Sequence, residues 1–256
     1  IADYACLTSG VTDVPIYPTL PPDQIAYVLK DSGAVAIFVS SREQVAKIAE
    51  VRSELPALAH VISFDEAGVA ADMTMADLEH RGAAAETPAS RSDYRHTAES
   101  VQPDDLATLL YTSGTSGNPK CVMLTHDNIH SNVMACREKL PFQGDDVSLS
   151  FLPLSHIFER MADYLMFATG STIAYAESLD TVPVNLVDVR PTIVFSVPRL
   201  YEKMYARVLQ NALAGGLIKR NIFFWARGVA EKWADVVLAG NEPRGLLAKK
   251  YEIAQK

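Results

Sequence analysis

Apolar positions follow two different spacings along the first part of the chain. Short runs rich in β-branched residues at 14–19, 34–39 and 60–64 predict strands. Between them, apolar residues recur every three or four positions, which predicts helices over about 22–32 and 43–50. Because strands and helices alternate in this way, the sequence predicts an α/β fold with mixed, largely parallel sheets flanked by helices.

The same alternation continues through the rest of the chain. Further strands are predicted at 106–111, 121–125, 147–152, 172–175 and 192–197. Helices are predicted from 126 to about 139, after 160 to about 169, from 198 onward, and around 218–233. The last of these has a large apolar face, for which packing in a core is the default interpretation and a membrane surface the alternative.

One segment breaks the pattern. Residues 82–100 are rich in alanine, serine and charged residues and show no periodicity. This composition predicts a loop or linker between two sheets, and hence a subdomain break near 82–100.

Composition and charge narrow the classes of protein to consider. With 48% hydrophobic and 21% charged residues, the chain is typical of a globular protein. A net charge of −8 argues against nucleic acid as a partner. Cys6, Cys121 and Cys136 lack paired spacing, which favours a reducing, cytoplasmic location and indicates no metal site. No apolar run is as long as a membrane span, although peripheral membrane association stays open.

The densest group of chemically useful residues is the run Tyr111–Lys120, YTSGTSGNPK. Glycines allow backbone N–H groups to approach a ligand, hydroxyls add donors, and lysine adds a mobile positive charge. These are the components of a polyphosphate site. A strand follows the lysine, so the loop joins two strands instead of capping a helix as the common nucleotide-binding loop does. The alternative interpretation is a plain surface linker.

This run resembles the phosphate-binding signature of the adenylate-forming superfamily, which includes acyl-CoA synthetases, luciferases and peptide-synthetase adenylation domains. The resemblance implies that ATP phosphates bind to seven residues, with Thr112 also a candidate contact for Mg²⁺. They are Thr112, Ser113, Gly114, Thr115, Ser116, Gly117 and Lys120. Cys121 stands where the family usually has glycine. If that position needs positive φ, a side chain is expected to cost stability or loop mobility.

A second element, LPLSHIFER at 152–160, follows a predicted strand and opens a helix, where ligand sites concentrate in α/β folds. It resembles the superfamily segment beside the acyl and adenylate pockets. The resemblance implies that His156 lies near the acyl-adenylate and Phe158 along the substrate wall. Since 152–158 contains no acidic residue to pair with a substrate amine, an unsubstituted carboxylic acid is favoured. The alternative for His156 is a buried histidine bonded to a backbone carbonyl.

A third element, Val197–Met204, resembles long-chain fatty acyl-CoA synthetases. The resemblance implies ATP-dependent activation of a fatty carboxylate to an acyl-adenylate, followed by transfer to CoA. Three alternatives stay open: an enzyme that activates aryl or amino acids, a non-catalytic nucleotide- or lipid-binding chain, and a scaffold whose loop binds nothing.

The resemblance covers essentially the whole chain but only about the first half of the family's catalytic architecture. The helix-like opening at Ile1–Leu7, without a methionine, also predicts a piece of a longer protein. Residues 1–256 are therefore expected to be part of the large N-terminal, ATP- and acyl-binding domain, without the mobile C-terminal lid. No complete catalytic set is identified, and the isolated chain is expected not to complete the reaction.

Overall fold

A computed structural model describes residues 1–64, 71–112 and 119–255. They form two compact units, Ile1–Phe195 and Ser196–Lys256. The strands are β1 (Ala36–Val39), β2 (His60–Ser63), β3 (Met73–Thr74), β4 (Leu106–Thr112), β5 (Lys120–Thr125), β6 (Val147–Ser150) and β7 (Thr172–Tyr175). The helices of the first unit are α1 (Ala2–Thr8), α2 (Pro22–Ser32), α3 (Arg42–Val51), α4 (Met75–Ala85), α5 (Pro88–Ser100), α6 (His126–Lys139), α7 (Ile157–Thr169) and α8 (Val182–Val189).

The first sheet has the order β1-β2-β3 and is parallel throughout. Helices α2 and α3 bury one face each in a core that includes Ile25, Leu29, Ile48 and Val61. Pro22 fits the first turn of α2, because the amide hydrogen that proline lacks has no helical partner there. The helices predicted at about 22–32 and 43–50 and the strands predicted at 34–39 and 60–64 are therefore confirmed.

Strands β4 and β5 form an antiparallel pair that pairs Thr112 with Lys120. Ala107 and Thr108 are fully buried in β4, whereas Lys120–Met123 are exposed in β5. The predicted arrangement of a strand on each side of the loop is therefore confirmed. Residues 113–118 themselves lie outside the described residues.

The third sheet pairs β6 with β7 in parallel, and α7 connects the two strands. Helix α6 packs on α7 through Val133, Tyr164 and Leu165. Gly170 ends α7 in a left-handed conformation with φ of 81°, which glycine adopts without a steric penalty. The strand–helix–strand order predicted from the sequence is thus confirmed here, and it places the start of α7 at the carboxyl end of β6.

Two predicted strands are wrong. Segments 14–19 and 192–197 form no continuous pairing with another strand. An isolated β-bridge joins Asp13, just before the first segment, to Thr108, and another joins Ile193 of the second segment to Ser148. In the first segment, Pro15 and Pro18 have no amide hydrogen for a ladder. The second leaves β6 after its bridge and leads into a helix at Pro198. β-branched residues favour extended backbone in both segments, but a strand also needs a continuous partner.

The loop predicted at 82–100 is wrong as well, because α4 and α5 occupy almost all of it. Each helix starts with a capping box, formed by Thr74 with Asp77 and by Thr87 with Ser90. Alanine has the highest helix propensity, which supports α4 further. Neither helix buries a residue, so no apolar period marks them in the sequence. A subdomain break near 82–100 stays a prediction.

The second unit consists of α9 (Pro198–Ala214), α10 (Gly216–Leu238) and α11 (Leu246–Ala254). Helix α10 packs against both others. Trp233 of α10 stacks on Tyr251 of α11, with ring centroids 4.1 Å apart, and the Arg227 guanidinium lies 5.9 Å from the ring centroid of Tyr205 in α9. Within the described residues, no helix combines the length and the hydropathy needed to cross a bilayer.

Candidate functional site

Helix α2 holds both ends of the predicted phosphate loop. The Tyr111 hydroxyl, just before the loop, donates to Asp31 Oδ2 at 2.7 Å. The Tyr27 hydroxyl donates to the carbonyl of Pro119, just after it, at 3.4 Å. The two tyrosine rings meet edge to face, 6.4 Å between centroids. Because the residues on each side of 113–118 are tied to the same helix, the loop starts and ends at fixed positions.

The electrostatics of this contact keep Tyr111 neutral. Burial, together with the hydrogen bond to Asp31, raises the pKa of Tyr111 well above its usual range. The hydroxyl therefore remains a donor at physiological pH and contributes no negative charge beside a site predicted to bind phosphates.

Thr112 and Lys120 are the predicted phosphate-binding residues that the structure describes. They are cross-strand neighbours, and the Thr112 hydroxyl donates to the Lys120 carbonyl at 3.5 Å. The Lys120 side chain is exposed, and among the described residues its ammonium group has no ion-pair partner. Its charge is thus available to a ligand. The other five, Ser113, Gly114, Thr115, Ser116 and Gly117, lie outside the described residues.

Cys121 lies directly opposite Tyr111 in the β4–β5 pair and is exposed. Among the described residues, Arg190 is the one non-glycine with positive φ. Cys121 therefore has ordinary strand geometry, and this conformation does not require glycine at that position.

Replacing Cys121 with glycine is accordingly expected to lower the free energy of unfolding by about 0.5–1 kcal/mol, because glycine loses more backbone freedom in a strand. ATP affinity is expected to stay unchanged, since the backbone shape is already compatible with cysteine. Urea unfolding and ATP titration measure both effects, with Cys121→Val as the control that keeps a strand-forming side chain. Tighter ATP binding by Cys121→Gly would contradict this account.

His156 and Phe158 lie at the start of α7. His156 caps the helix, and its Nδ1 accepts the backbone N–H of Phe158 at 3.2 Å. The His156 side chain is exposed, and that of Phe158 is 44% exposed. The interpretation of His156 as a buried histidine bonded to a carbonyl is therefore wrong. Both side chains are accessible beside the carboxyl end of β6, where ligands bind in α/β folds.

Glu159 fixes the connection between β6 and α7, a role that was not predicted from the sequence. It is 1% exposed, and its Oε1 accepts the Ser150 hydroxyl at 2.8 Å and the Phe151 N–H at 3.1 Å. Burial raises the pKa of this carboxyl. Because the donors are the last residue of β6 and the residue after it, the carboxyl group holds the turn that presents His156.

Arg160 joins α7 to three other parts of the first unit. Its Nη2 donates to Asp3 Oδ1 at 2.6 Å and to Asp13 Oδ2 at 2.9 Å, and its Nη1 donates to the Thr108 hydroxyl at 2.9 Å. The Arg160 side chain is 4% exposed. Thr108 belongs to β4, the strand that leads into the phosphate loop. The buried cluster thus fixes the helix that carries His156 relative to the strand that carries Thr112.

The cluster contains one guanidinium and two partly buried carboxyl groups, so it carries one excess negative charge if both carboxyls ionise. Burial, aided by a hydrogen bond with Asp3, raises the pKa of Asp13 to about 7, although the charge of Arg160 acts in the opposite direction. Below about pH 7, a proton on Asp13 therefore balances the charge of the cluster.

Replacing Asp13 with asparagine is expected to change how stability depends on pH. The folded protein holds a proton on Asp13 that the unfolded chain releases above about pH 4. The resulting stabilisation is complete below the unfolded pKa and is lost as pH rises toward the folded pKa. From about pH 5 to 7, the free energy of unfolding of the unsubstituted chain should fall by about 2 kcal/mol relative to Asp13→Asn. Urea titrations at both pH values test this, and parallel pH profiles would refute it.

A cavity of about 550 Å³ lies beside this cluster in the first unit. Asp13 and Arg160 line its polar part, and Val14, Phe38 and Leu154 belong to its apolar part. Among the described residues that line the cavity, neither His156 nor Phe158 is present. The two residues predicted to contact an acyl group therefore do not line this cavity, although Leu154 and Ser155, just before His156, do.

Comparison with known proteins tests the expected family. The AMP-binding enzyme family matches residues 1–243. The chain is 33% identical over 255 residues to the long-chain-fatty-acid–CoA ligase FadD15 of Mycobacterium bovis, covering 99% of this chain and 41% of that protein. It is 32% identical over 267 residues to the long-chain-fatty-acid–CoA ligase ACSBG2 of Xenopus laevis, covering 100% of this chain and 35% of that protein. The chain thus spans less than half the length of these relatives.

Solved structures test the fold. The inhibitor-bound N-terminal domain of FACL13 from Mycobacterium tuberculosis matches with a TM-score of 0.64 at 22% identity, covering 79% of this chain and 47% of that one. The expected α/β architecture, with mostly parallel small sheets flanked by helices, is confirmed by this likeness. Together with the match over residues 1–243, the relatives confirm the resemblance first indicated by the phosphate-loop signature. The chain belongs to the AMP-binding enzyme family.

Proposed function

We propose that a longer protein containing this chain is a long-chain fatty acid–CoA ligase. It would use ATP to convert a fatty carboxylate into an acyl-adenylate with release of pyrophosphate, and then transfer the acyl group to the thiol of CoA with release of AMP. This chain would supply the phosphate loop and part of the acyl site. The observation that carries the proposal is the exposed Lys120, which has no ion-pair partner among the described residues and follows a loop whose flanking residues Tyr111 and Pro119 are tied to α2.

The first step brings a carboxylate anion to a polyphosphate anion, so the protein must offset negative charge and align the reactants. Lys120 and the loop 113–117 would hold the phosphates, with Thr112 as a further donor. The contacts of Tyr111 and Pro119 with the same helix support this role, because they fix the two points between which the loop runs, next to Thr112 and Lys120. The single hydroxyl of Thr112 suits Mg²⁺ only together with phosphate oxygens brought by ATP, since this ion prefers six oxygen ligands.

The acyl group would lie near His156 and Phe158, which are accessible at the carboxyl end of β6. Glu159, the acidic residue nearest to them in sequence, is buried and accepts hydrogen bonds from β6 and the residue after it. It is therefore unavailable to pair with a substrate amine. This favours an unsubstituted carboxylic acid over an amino acid, and the names of the two relatives favour a long-chain fatty acid.

The test is carboxylate-dependent ATP–pyrophosphate exchange by a longer protein that contains this sequence, with straight-chain fatty acids of increasing length, aryl acids and amino acids. The proposal expects exchange that is strongest with long-chain fatty acids. Exchange dependent on aryl or amino acids would support the other acid-activating function instead. ATP binding without exchange for any acid would support the non-catalytic nucleotide-binding alternative.

The 256-residue chain by itself is expected to bind ATP without forming acyl-CoA. The proposed site contains phosphate- and acyl-binding residues but no complete catalytic set. Acyl-CoA formation by this polypeptide alone, measured as loss of free CoA thiol with ATP and a fatty acid, would contradict that expectation.

A further inference from the structure

The two units of the chain carry opposite charges. Residues 196–256 contain 11 lysines and arginines against 5 aspartates and glutamates, a net charge of +6. The remaining 195 residues contain 12 against 26, a net charge of −14. A basic helical segment attracts an anionic partner, whereas the acidic remainder of the chain repels it. Such a partner is therefore expected to bind at residues 196–256.

Helix α10 has an apolar stripe that its neighbours cover in part. Ile218, Ile222 and Trp225 recur at four- and three-residue steps and are 77%, 58% and 41% exposed. Farther along the same stripe, Val229 is buried and Trp233 stacks on Tyr251 of α11. Packing therefore covers the C-terminal part of the stripe and leaves the N-terminal part exposed.

Helix α9 has a second stripe of this type. Its exposed apolar side chains recur at steps of one, three and four residues: Tyr201, Met204, Tyr205 and Val208. Tyrosine and tryptophan are favoured at membrane–water interfaces, since their rings are largely apolar but carry a polar group. The exposed apolar residues of both helices thus have the composition of an interfacial surface.

Basic side chains border the stripe of α10. Lys219 follows Ile218 and Lys232 precedes Trp233, so the two lysines lie on opposite sides of the stripe, and both are exposed. Long lysine side chains can place their methylene groups along an apolar layer while the ammonium reaches phosphate headgroups. Helices with this pattern lie in the plane of a membrane surface instead of crossing it.

We propose that residues 196–256 bind the surface of an anionic lipid bilayer, with Ile218, Ile222 and Trp225 inserted among the headgroups. Lys219 and Lys232 would contact lipid phosphates on the two sides of this stripe. The inference does not depend on the function proposed above. A lipid surface is favoured over a protein groove because the positive charge is distributed over all three helices of the unit and interfacial aromatic residues occur on two of them.

The test is flotation of the 256-residue chain with vesicles of phosphatidylcholine alone or mixed with phosphatidylglycerol. Binding is expected to the mixed vesicles despite the chain's net charge of −8, and to weaken with added salt, which screens the attraction. Equal binding to both vesicle types, binding insensitive to salt, or no binding would overturn the proposal.

Two pairs of variants locate the surface. The double variant Lys219→Glu with Lys232→Glu should lower partitioning to anionic vesicles by roughly tenfold or more. Its control is Arg81→Glu with Arg95→Glu, which makes an equal charge change at exposed positions of α4 and α5 and should not lower partitioning. Ile222→Gln with Trp225→Gln should also lower it, whereas Val184→Gln with Val187→Gln on exposed positions of α8 should not. Equal losses in test and control variants would overturn the proposal, provided that circular dichroism shows all four to be folded.

Fluorescence gives an independent readout, because both tryptophans of the chain, Trp225 and Trp233, lie in α10. In Trp233→Phe, the emission of Trp225 should shift to shorter wavelength on addition of anionic vesicles. No shift at vesicle concentrations that bind the chain would contradict insertion of this residue. A different outcome would identify a protein interface and overturn the lipid assignment. In that outcome the unsubstituted chain self-associates without binding vesicles, and Ile222→Gln with Trp225→Gln abolishes the self-association.

Discussion

Replacing Lys120 with alanine is expected to weaken ATP binding by the 256-residue chain by roughly 10- to 100-fold, the effect of losing a hydrogen bond to a charged group. Lys120 is exposed, lacks an ion-pair partner among the described residues and follows the anchored loop. Its removal should therefore change ligand affinity and leave folding intact. Isothermal titration with ATP measures the affinity, and urea unfolding checks the stability.

Two further variants make this result specific. Lys139→Ala removes another exposed lysine at the end of α6, where it pairs with Glu138 at 2.9 Å, and should leave ATP affinity unchanged. Lys120→Arg keeps the positive charge and should retain most of the affinity. The account fails if Lys120→Ala binds ATP as well as Lys139→Ala does.

Replacing Arg160 with leucine is expected to lower the free energy of unfolding by about 3 kcal/mol, because it leaves two partly buried carboxyl groups without their cation. Asp13 and Asp3 would then lie next to each other without the guanidinium that both contact. The Thr108 hydroxyl would lose the hydrogen bond that it accepts from Arg160. Urea denaturation measures the loss. Lys30→Leu is the control, since the Lys30–Glu54 pair is of similar length, 2.7 Å, but lies on the surface and should contribute less than about 1 kcal/mol.

The double variant Arg160→Leu with Asp13→Asn separates charge from packing. Removing the acidic group that faces the lost guanidinium should restore part of the stability, so the two effects should not add. A loss for Arg160→Leu no larger than that for Lys30→Leu, or strictly additive effects in the double variant, would contradict the account of the cluster.

Sequence patterns predicted the elements whose signals are local. The helix over 22–32 was predicted from its apolar period and begins at Pro22, and the helix predicted from 126 begins directly after its capping residue Thr125. The helix predicted to end at about 169 does end there, and Gly170 follows it in a left-handed conformation. Each signal lies within a few residues of the feature that it marks, so no knowledge of distant contacts is needed.

Features that depend on distant or unpatterned residues were missed. Helices α4 and α5 bury no residue, so their apolar spacing carried no information. The Arg160 cluster joins residues 3, 13, 108 and 160, and nothing in their spacing indicates that they meet. The phosphate loop was recognised from its composition, but the tyrosines that anchor it to α2 became apparent only when the strands and helix were positioned.

The most direct test of the central claim, that this chain holds ATP phosphates at Lys120, is the reactivity of its lysines toward an acetylating reagent, quantified by mass spectrometry. MgATP and tripolyphosphate should both protect Lys120, whereas adenosine should not, and exposed lysines such as Lys139 and Lys203 should react equally in all cases. Unchanged reactivity of Lys120 at ATP concentrations that saturate binding would contradict the claim.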